Sequence, residues 1–348
     1  MSAREAGFLA GVAALTALAG VLHFAGAPPV VAFIAATGAL AGMAWVVSFA
    51  TEQVGERFGP AVTGVMQSTL GNLPEFFVVI FALSAGEVVV ARFSLIGSIF
   101  ANALFVLGLV IVLGAREARD GVMRFAARLP RDTATLMLIA VFIIALMGLS
   151  LDSGDRASRH TEAISIVGAL VMLGVYLSWV IPYVRGETGS ETTGTPRVPL
   201  VVAILLLGAG GVASAFVSDW FIIALDPAIK SLGISKEFAG LVVVAIAGNA
   251  VENVTGLVLA RKGQADLAIS VVKNSVAQIA AFLFPALVLV SLLFATSLTF
   301  ALAPIYIGAL ALTAIVVWQI TGDGEATAFE GWALVGIYVI LAAFTLYE

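Results

Sequence analysis

The chain has 348 residues, of which 61% are hydrophobic and only 11% charged, with a formal net charge of −5. A soluble domain of this size cannot hide so much apolar surface, so the composition predicts an all-α integral membrane protein of many spans. There is no cysteine, which excludes disulfides, thiolate metal sites and thiol redox chemistry, and no basic patch for nucleic acid.

In chain order, the apolar runs between charged or Gly/Pro breaks predict eleven spans. They lie near 6–24, 29–51, 60–84, 91–114, 132–151, 162–184, 198–217, 237–260, 267–295, 298–320 and 329–347. The alternation of an outer-membrane barrel strand is missing. Segment 218–236, which holds Asp226-Pro227, Lys230 and Lys236, reads as a connection or half-helix. The first span has a second reading as a signal peptide, because Arg4 precedes it and Ala25-Gly26-Ala27 follows. With the N-terminus in the cytoplasm, eleven Lys and Arg residues fall in inside loops and five outside, Arg116–Arg131 carrying most of the bias. That asymmetry predicts a multi-pass protein with its N-terminus inside, and the short chain without targeting extensions leads us to expect a prokaryotic cell (inner) membrane.

Two five-residue frames repeat within spans, Gly71-Asn72-Leu73-Pro74-Glu75 and Gly248-Asn249-Ala250-Val251-Glu252, 177 residues apart. A carboxylate at mid-membrane costs about 2.5–3.5 kcal/mol and marks a functional site by default. Four whole spans separate the two motif spans, so they cross in opposite directions, which is the arithmetic of an inverted repeat. At the same offset Gly97-Ser98 falls on Asn274-Ser275, and Asn102 lies one position out of register with Gln278. Upstream, Ala50-Thr51-Glu52 matches Val217-Ser218-Asp219 with an insertion of about ten residues. The organisation expected is an extra N-terminal helix over 1–28, a first five-helix repeat over 29–184, a linker over 185–197 and a second repeat over 198–348.

Gly71 and Pro74 weaken a helix, so the first motif predicts a break. The second has Val251 in place of proline, so its break should be milder. Asn and Glu three apart share a helix face in each copy. Two carboxylates, two amides and nearby hydroxyls make an all-oxygen set of the kind calcium takes. Two glutamates neutralise a divalent ion. Without it, the pair is most cheaply carried as neutral acids. One site that holds either protons or the cation has the means for exchange. The plainer readings are that each glutamate pairs with an interior Lys or Arg, that Ser98, Asn102, Ser275 and Gln278 are ordinary polar contacts between helices, and that Glu52 and Asp219 are solvated helix ends.

These motifs, with Ser94-Leu95-Ile96-Gly97-Ser98 and Leu232-Gly233-Ile234-Ser235-Lys236-Glu237-Phe238, resemble the calcium/proton exchanger family of the cation/calcium exchanger superfamily. The resemblance covers both repeats. It implies eleven helices, inverted five-helix repeats and the exchange of cytosolic Ca2+ for external H+ by alternating access. It also implies Glu75 and Glu252 as central ligands and proton carriers. Asn72, Asn249, Ser98, Asn102, Ser275 and Gln278 would be supporting metal ligands, and Glu52 and Asp219 acidic positions along the access path. The partners implied are Ca2+, H+ and the lipid bilayer. No cofactor is implied beyond Ca2+ as transported substrate. The chain departs from the family at Asn274, where glycine is usual, and at Lys273 beside it, which should snorkel to an interface or pair with Asp219 or Glu252.

The nearest rival is a Na+/Ca2+ exchanger or a monovalent cation (Na+ or K+)/H+ antiporter on the same scaffold. Gly71-Asn72 stands where sodium-coupled relatives usually have Thr-Ser, which favours protons as counter-ion. A channel would normally be a smaller subunit around a symmetry axis. An enzyme is disfavoured because His23 and His160 lie near helix ends and no catalytic spacing accompanies them.

Overall fold

The computed structural model describes residues 2–57, 66, 70–186 and 196–348. Its helices, in chain order, are α1 Ala3–Phe24, α2 Pro29–Gly55, α3 Leu73–Ser84, α4 Val88–Glu117, α5 Arg128–Ser153, α6 Thr161–Gly186 and α7 Leu200–Leu232. The chain continues with α8 Lys236–Gly248, α9 Ala250–Arg261, α10 Ala265–Ser291, α11 Pro304–Thr321 and α12 Ala328–Leu346. Among the described residues, nine helices are each long and apolar enough to cross a membrane. The bent pair α8–α9 makes one further candidate span, and α3 is a shorter apolar helix. The expected third span, 60–84, lies outside the described residues over much of its first part, as does most of the linker 185–197.

Three expectations are corrected here. Segment 218–236 is no connection, because α7 runs unbroken through Pro227 to Leu232 and ends on Gly233 in the left-handed conformation (φ 66°). One proline removes one backbone donor, and the apolar run around it keeps the helix going. The span read as 298–320 starts only at Pro304. The second break is not mild: α8 and α9 meet at 60° without a proline.

The chain divides into two compact units that cut across the sequence halves, Met1–Ser94 with Leu177–Val251 and Leu95–Tyr176 with Glu252–Glu348. In the first unit, α2 and α7 form the most extensive helix pair, and α1 and α3 pack on both. The first helix is part of that packing: it starts on a Ser2/Glu5 capping box, and Val12 fills the space above Gly42. Its loop ends are tied by charge. Arg197 bonds Glu5 and, at 2.8 Å, Glu52. At the other end of α7, Lys236 bonds Glu87 at 2.6 Å and lies 3.4 Å from Asp226.

In the second unit α4 packs against α12 and α5 against α11. Gly108 and Gly331 let α4 and α12 touch through their backbones, since a Cβ on either would lie 2.6 Å from the other's carbonyl oxygen. A two-stranded ribbon, β1 Val122–Arg124 antiparallel to β2 Glu325–Thr327, closes one end with Val122 opposite Thr327. The Ala126 N–H donates to Asp266 Oδ1 beside it (2.6 Å).

Candidate ion-binding site

In both motifs a helix begins just past the asparagine, α3 at Leu73 and α9 at Ala250. Asn72 (φ −84°, ψ 9°) and Asn249 (φ −103°, ψ 18°) share a backbone conformation outside the helical region. Pro74 does not break anything: it occupies the second position of α3, where its missing N–H has no intrahelical partner to lose. Each glutamate then sits in the first turn of the new helix, Glu75 in α3 and Glu252 in α9. The positive end of the helix dipole offsets part of the cost of burying a carboxylate there. Both are buried, Glu75 at 1% exposure and Glu252 at 9%, and so are Asn72 and Asn249.

The first unit brings the start of the second motif against the first. Gly248, at the end of α8, lies against Glu75, and a Cβ there would be 3.7 Å from the Glu75 Cβ. The Asn249 amide donates Nδ2–H to the Ala245 carbonyl (2.9 Å), which turns its oxygen away from its own helix.

In the second unit the supporting candidates lie on α4 and α10, all buried: Ser98, Asn102, Ser275 and Gln278. Asn102 repeats the Asn249 arrangement, with Nδ2–H donated to the Ser98 carbonyl (3.0 Å). The Ser275 hydroxyl is buried without a hydrogen-bond partner among the described residues, a state that costs about 1–3 kcal/mol unless a ligand fills it. Each of these helices widens to a π turn, Ala101–Val106 in α4, which contains Asn102, and Ile279–Leu283 in α10, which starts just past Gln278. Such turns add a residue to the helix, re-aim side chains and are frequent at functional sites. α10 packs on the first of them.

Two neighbouring polar side chains were missed in the sequence. The Tyr176 hydroxyl, buried in α6, interacts with the Gln278 side chain. Asn253 follows Glu252 with its side-chain oxygen buried and without a hydrogen-bond partner among the described residues.

Glu52 and Asp219 are not gathered with Glu75. Glu52 is ion-paired to Arg197 at the end of α2. Asp219 borders an apolar groove lined by Leu73, Phe77 and Phe81. Those residues mark the face of α3 roughly 200° from Glu75, two residues out of phase.

Lys273 also departs from expectation. It is 0% exposed and forms no ion pair among the described residues, so it neither snorkels nor pairs with Asp219 or Glu252. Its ammonium donates to Thr321 Oγ1 (3.2 Å), and that hydroxyl donates to the Val317 carbonyl (2.6 Å). Thr321 is the last residue of α11, where unsatisfied carbonyls give the helix end a partial negative charge. A helix terminus takes the place of the carboxylate.

The sodium/calcium exchanger protein family matches residues 28–182 and 202–347. The chain belongs to this family. Similar relatives include the Ca2+/H+ antiporter of Synechocystis sp., 30% identical over 345 residues and covering 92% of each chain. Another is the Ca2+/H+ antiporter ChaA of Bacillus subtilis, 27% identical with 94% of each chain covered. Among solved structures, native YfkE superposes with a TM-score of 0.82 at 25% identity over 98% of this chain and all of its own. The H+/Ca2+ exchanger CAX gives 0.75 at 16% identity, covering 99% of this chain and 93% of its own, a likeness of fold. The two segments matched by the family leave α1 outside, whereas the superposition on native YfkE takes in 98% of this chain.

Proposed function

We propose that the chain is a Ca2+/H+ antiporter that exchanges cytosolic Ca2+ for external H+ by alternating access, with Glu75 and Glu252 binding the cation or protons in turn. The observation that carries this reading is the pair of buried glutamates, each in the first turn of a helix that follows an asparagine break, with Gly248 of one motif against Glu75 of the other. Leaving both carboxylates charged and unneutralised in the membrane would cost about 5–7 kcal/mol at the mid-membrane scale. That approaches the whole stability of a domain, so the pair needs a compensating ligand. One divalent ion cancels two charges, and two protons do the same.

The remaining oxygens come from the amides of Asn72, Asn249, Asn102 and Gln278 and the hydroxyls of Ser98 and Ser275. Amide and hydroxyl oxygens are hard, neutral donors that complete a calcium shell without adding charge. Among the described residues no three His, Cys, Asp or Glu side chains converge, which fits a site with only two acids. Relatives bearing the name Ca2+/H+ antiporter over nearly their full length support the same assignment. The protein is a transporter with no catalytic role. It sits in the cell membrane with its N-terminus cytoplasmic, built from an extra helix (1–28) and inverted repeats over 29–184 and 198–348.

Calcium uptake into everted vesicles under an imposed pH gradient tests this. Wild type should accumulate Ca2+ and lose it when the gradient is collapsed. Glu75→Gln and Glu252→Gln, checked for an unchanged melting temperature, should each abolish uptake. Uptake that ignores the gradient, follows a sodium gradient instead, or survives both substitutions overturns the reading.

A further inference from the structure

Asn253 stands directly after Glu252 in α9 and has no part in the set of ligands above. Its side chain is buried, at 9% exposure, and its Oδ1 has no hydrogen-bond partner among the described residues. A buried acceptor without a donor has given up water and gained nothing, an imbalance that a bound cation removes.

Gly256 shows which way this part of α9 faces. A Cβ on it would lie 3.0 Å from Val272 Cγ2 in α10 and 3.2 Å from Val110 Cγ2 in α4, so that face lies against both helices. Glu252 and Asn253, four and three residues before Gly256, sit one turn nearer the motif on the same side. The turn Lys262–Gln264 reverses the chain, so α10 runs back alongside α9. One turn back along α9 is therefore one turn forward along α10, from Val272 to Ser275. The Ser275 hydroxyl is likewise buried and without a partner among the described residues. Two unsatisfied oxygens at one level on facing sides of two helices of the second unit, with a carboxylate beside them, make up half of a cation shell.

The first copy lacks both features. At the offset of 177 residues, Phe76 and Val79 stand where the second copy has Asn253 and Gly256. One copy places bulky hydrocarbon on this face, and the other opens the face and puts an amide there. We propose that Asn253 is a ligand of the transported Ca2+, its Oδ1 binding the ion together with Glu252 and the Ser275 hydroxyl. Resting as it does on the antiport reading, this assignment adds a ligand to the same site. A neutral oxygen brings the coordination number toward the roughly six to eight that Ca2+ takes, without adding a charge that must itself be neutralised. The shell is then unequal, with one more oxygen from the second copy than from the first.

Calorimetric titration of the purified full-length protein with Ca2+, with melting temperatures taken with and without the ion, tests the proposal. Asn253→Leu should weaken Ca2+ binding roughly 10- to 100-fold while the calcium-free melting temperature holds or rises, because hydrocarbon of similar size replaces an unsatisfied amide. Asn253→Asp keeps an oxygen in place and should bind Ca2+ at least as tightly as wild type. Its calcium-free melting temperature should fall, and Ca2+ should restore it. Wild-type affinity in Asn253→Leu overturns the proposal. So does equal weakening in Asn253→Leu and Asn253→Asp, which would leave Asn253 a packing role only. Glu252→Gln separates this assignment from the antiport reading. Binding lost there but kept in Asn253→Leu removes Asn253 alone, whereas a wild type that binds no Ca2+ removes both.

Discussion

The stretches around Glu75 and Glu252 use one backbone and different residues. Asn72 and Asn249 have nearly the same φ and ψ, and both glutamates occupy the third position of the following helix. Yet Pro74 faces Val251 in the alignment, and on the next helices Ile96 and Gly97 face Lys273 and Asn274. Ile96 and Lys273 are both fully buried. The second copy can hold an ammonium there because the C-terminus of α11 and the Thr321 hydroxyl receive it. What the two copies share is the geometry that presents the acids. They diverge where a neighbouring element, not the motif itself, decides what is tolerated.

Exchanging residues between the copies tests how far the equivalence goes. The largest effect is expected for Ile96→Lys, which buries a charge with no partner provided for it and should cost about 3–5 kcal/mol, read as loss of folded protein on heating. Next come Asn72→Ala and Asn249→Ala. Each removes one ligand oxygen worth about 1–3 kcal/mol and should weaken Ca2+ binding roughly 10- to 100-fold, by calorimetry in detergent. Similar losses support two equivalent breaks, and a loss confined to one refutes them. A smaller change is expected for Lys273→Ile. Replacing a buried ion by an apolar side chain is often neutral or stabilising, so the melting temperature should hold or rise. A fall of several degrees would mean the ammonium bond to Thr321 is needed.

Smallest of all should be Val251→Pro, which puts the first copy's proline at the second position of α9. It should cost under about 1 kcal/mol, compared with about 3 for proline inside a helix. A cost near the latter figure would show that the helix does not restart at Ala250.

The sequence was informative wherever burial in lipid alone sets the rule. Long apolar runs announce helices because every backbone group in a membrane must be bonded within its own segment. Glu75 and Glu252 stand out because an acid is expensive there, and their repeated frame shows without coordinates. The spacing is weaker evidence once a helix is long. The break was read from Gly71 and Pro74, yet α3 begins just past Asn72 with Pro74 inside its first turn; and α7 was cut short at residue 217 although it runs on to Leu232.

From the sequence alone came the helical membrane class, the two motifs, their opposed directions and the oxygen character of their partners. Hydrophobicity and residue chemistry are local properties, and they carry that far. Tertiary structure alone decided that Gly248 touches Glu75, that Lys273 rests on the end of α11, and that Asp219 opens on a groove away from Glu75. Each depends on which distant helix lies alongside, and the packing of whole faces settles that, not any single residue.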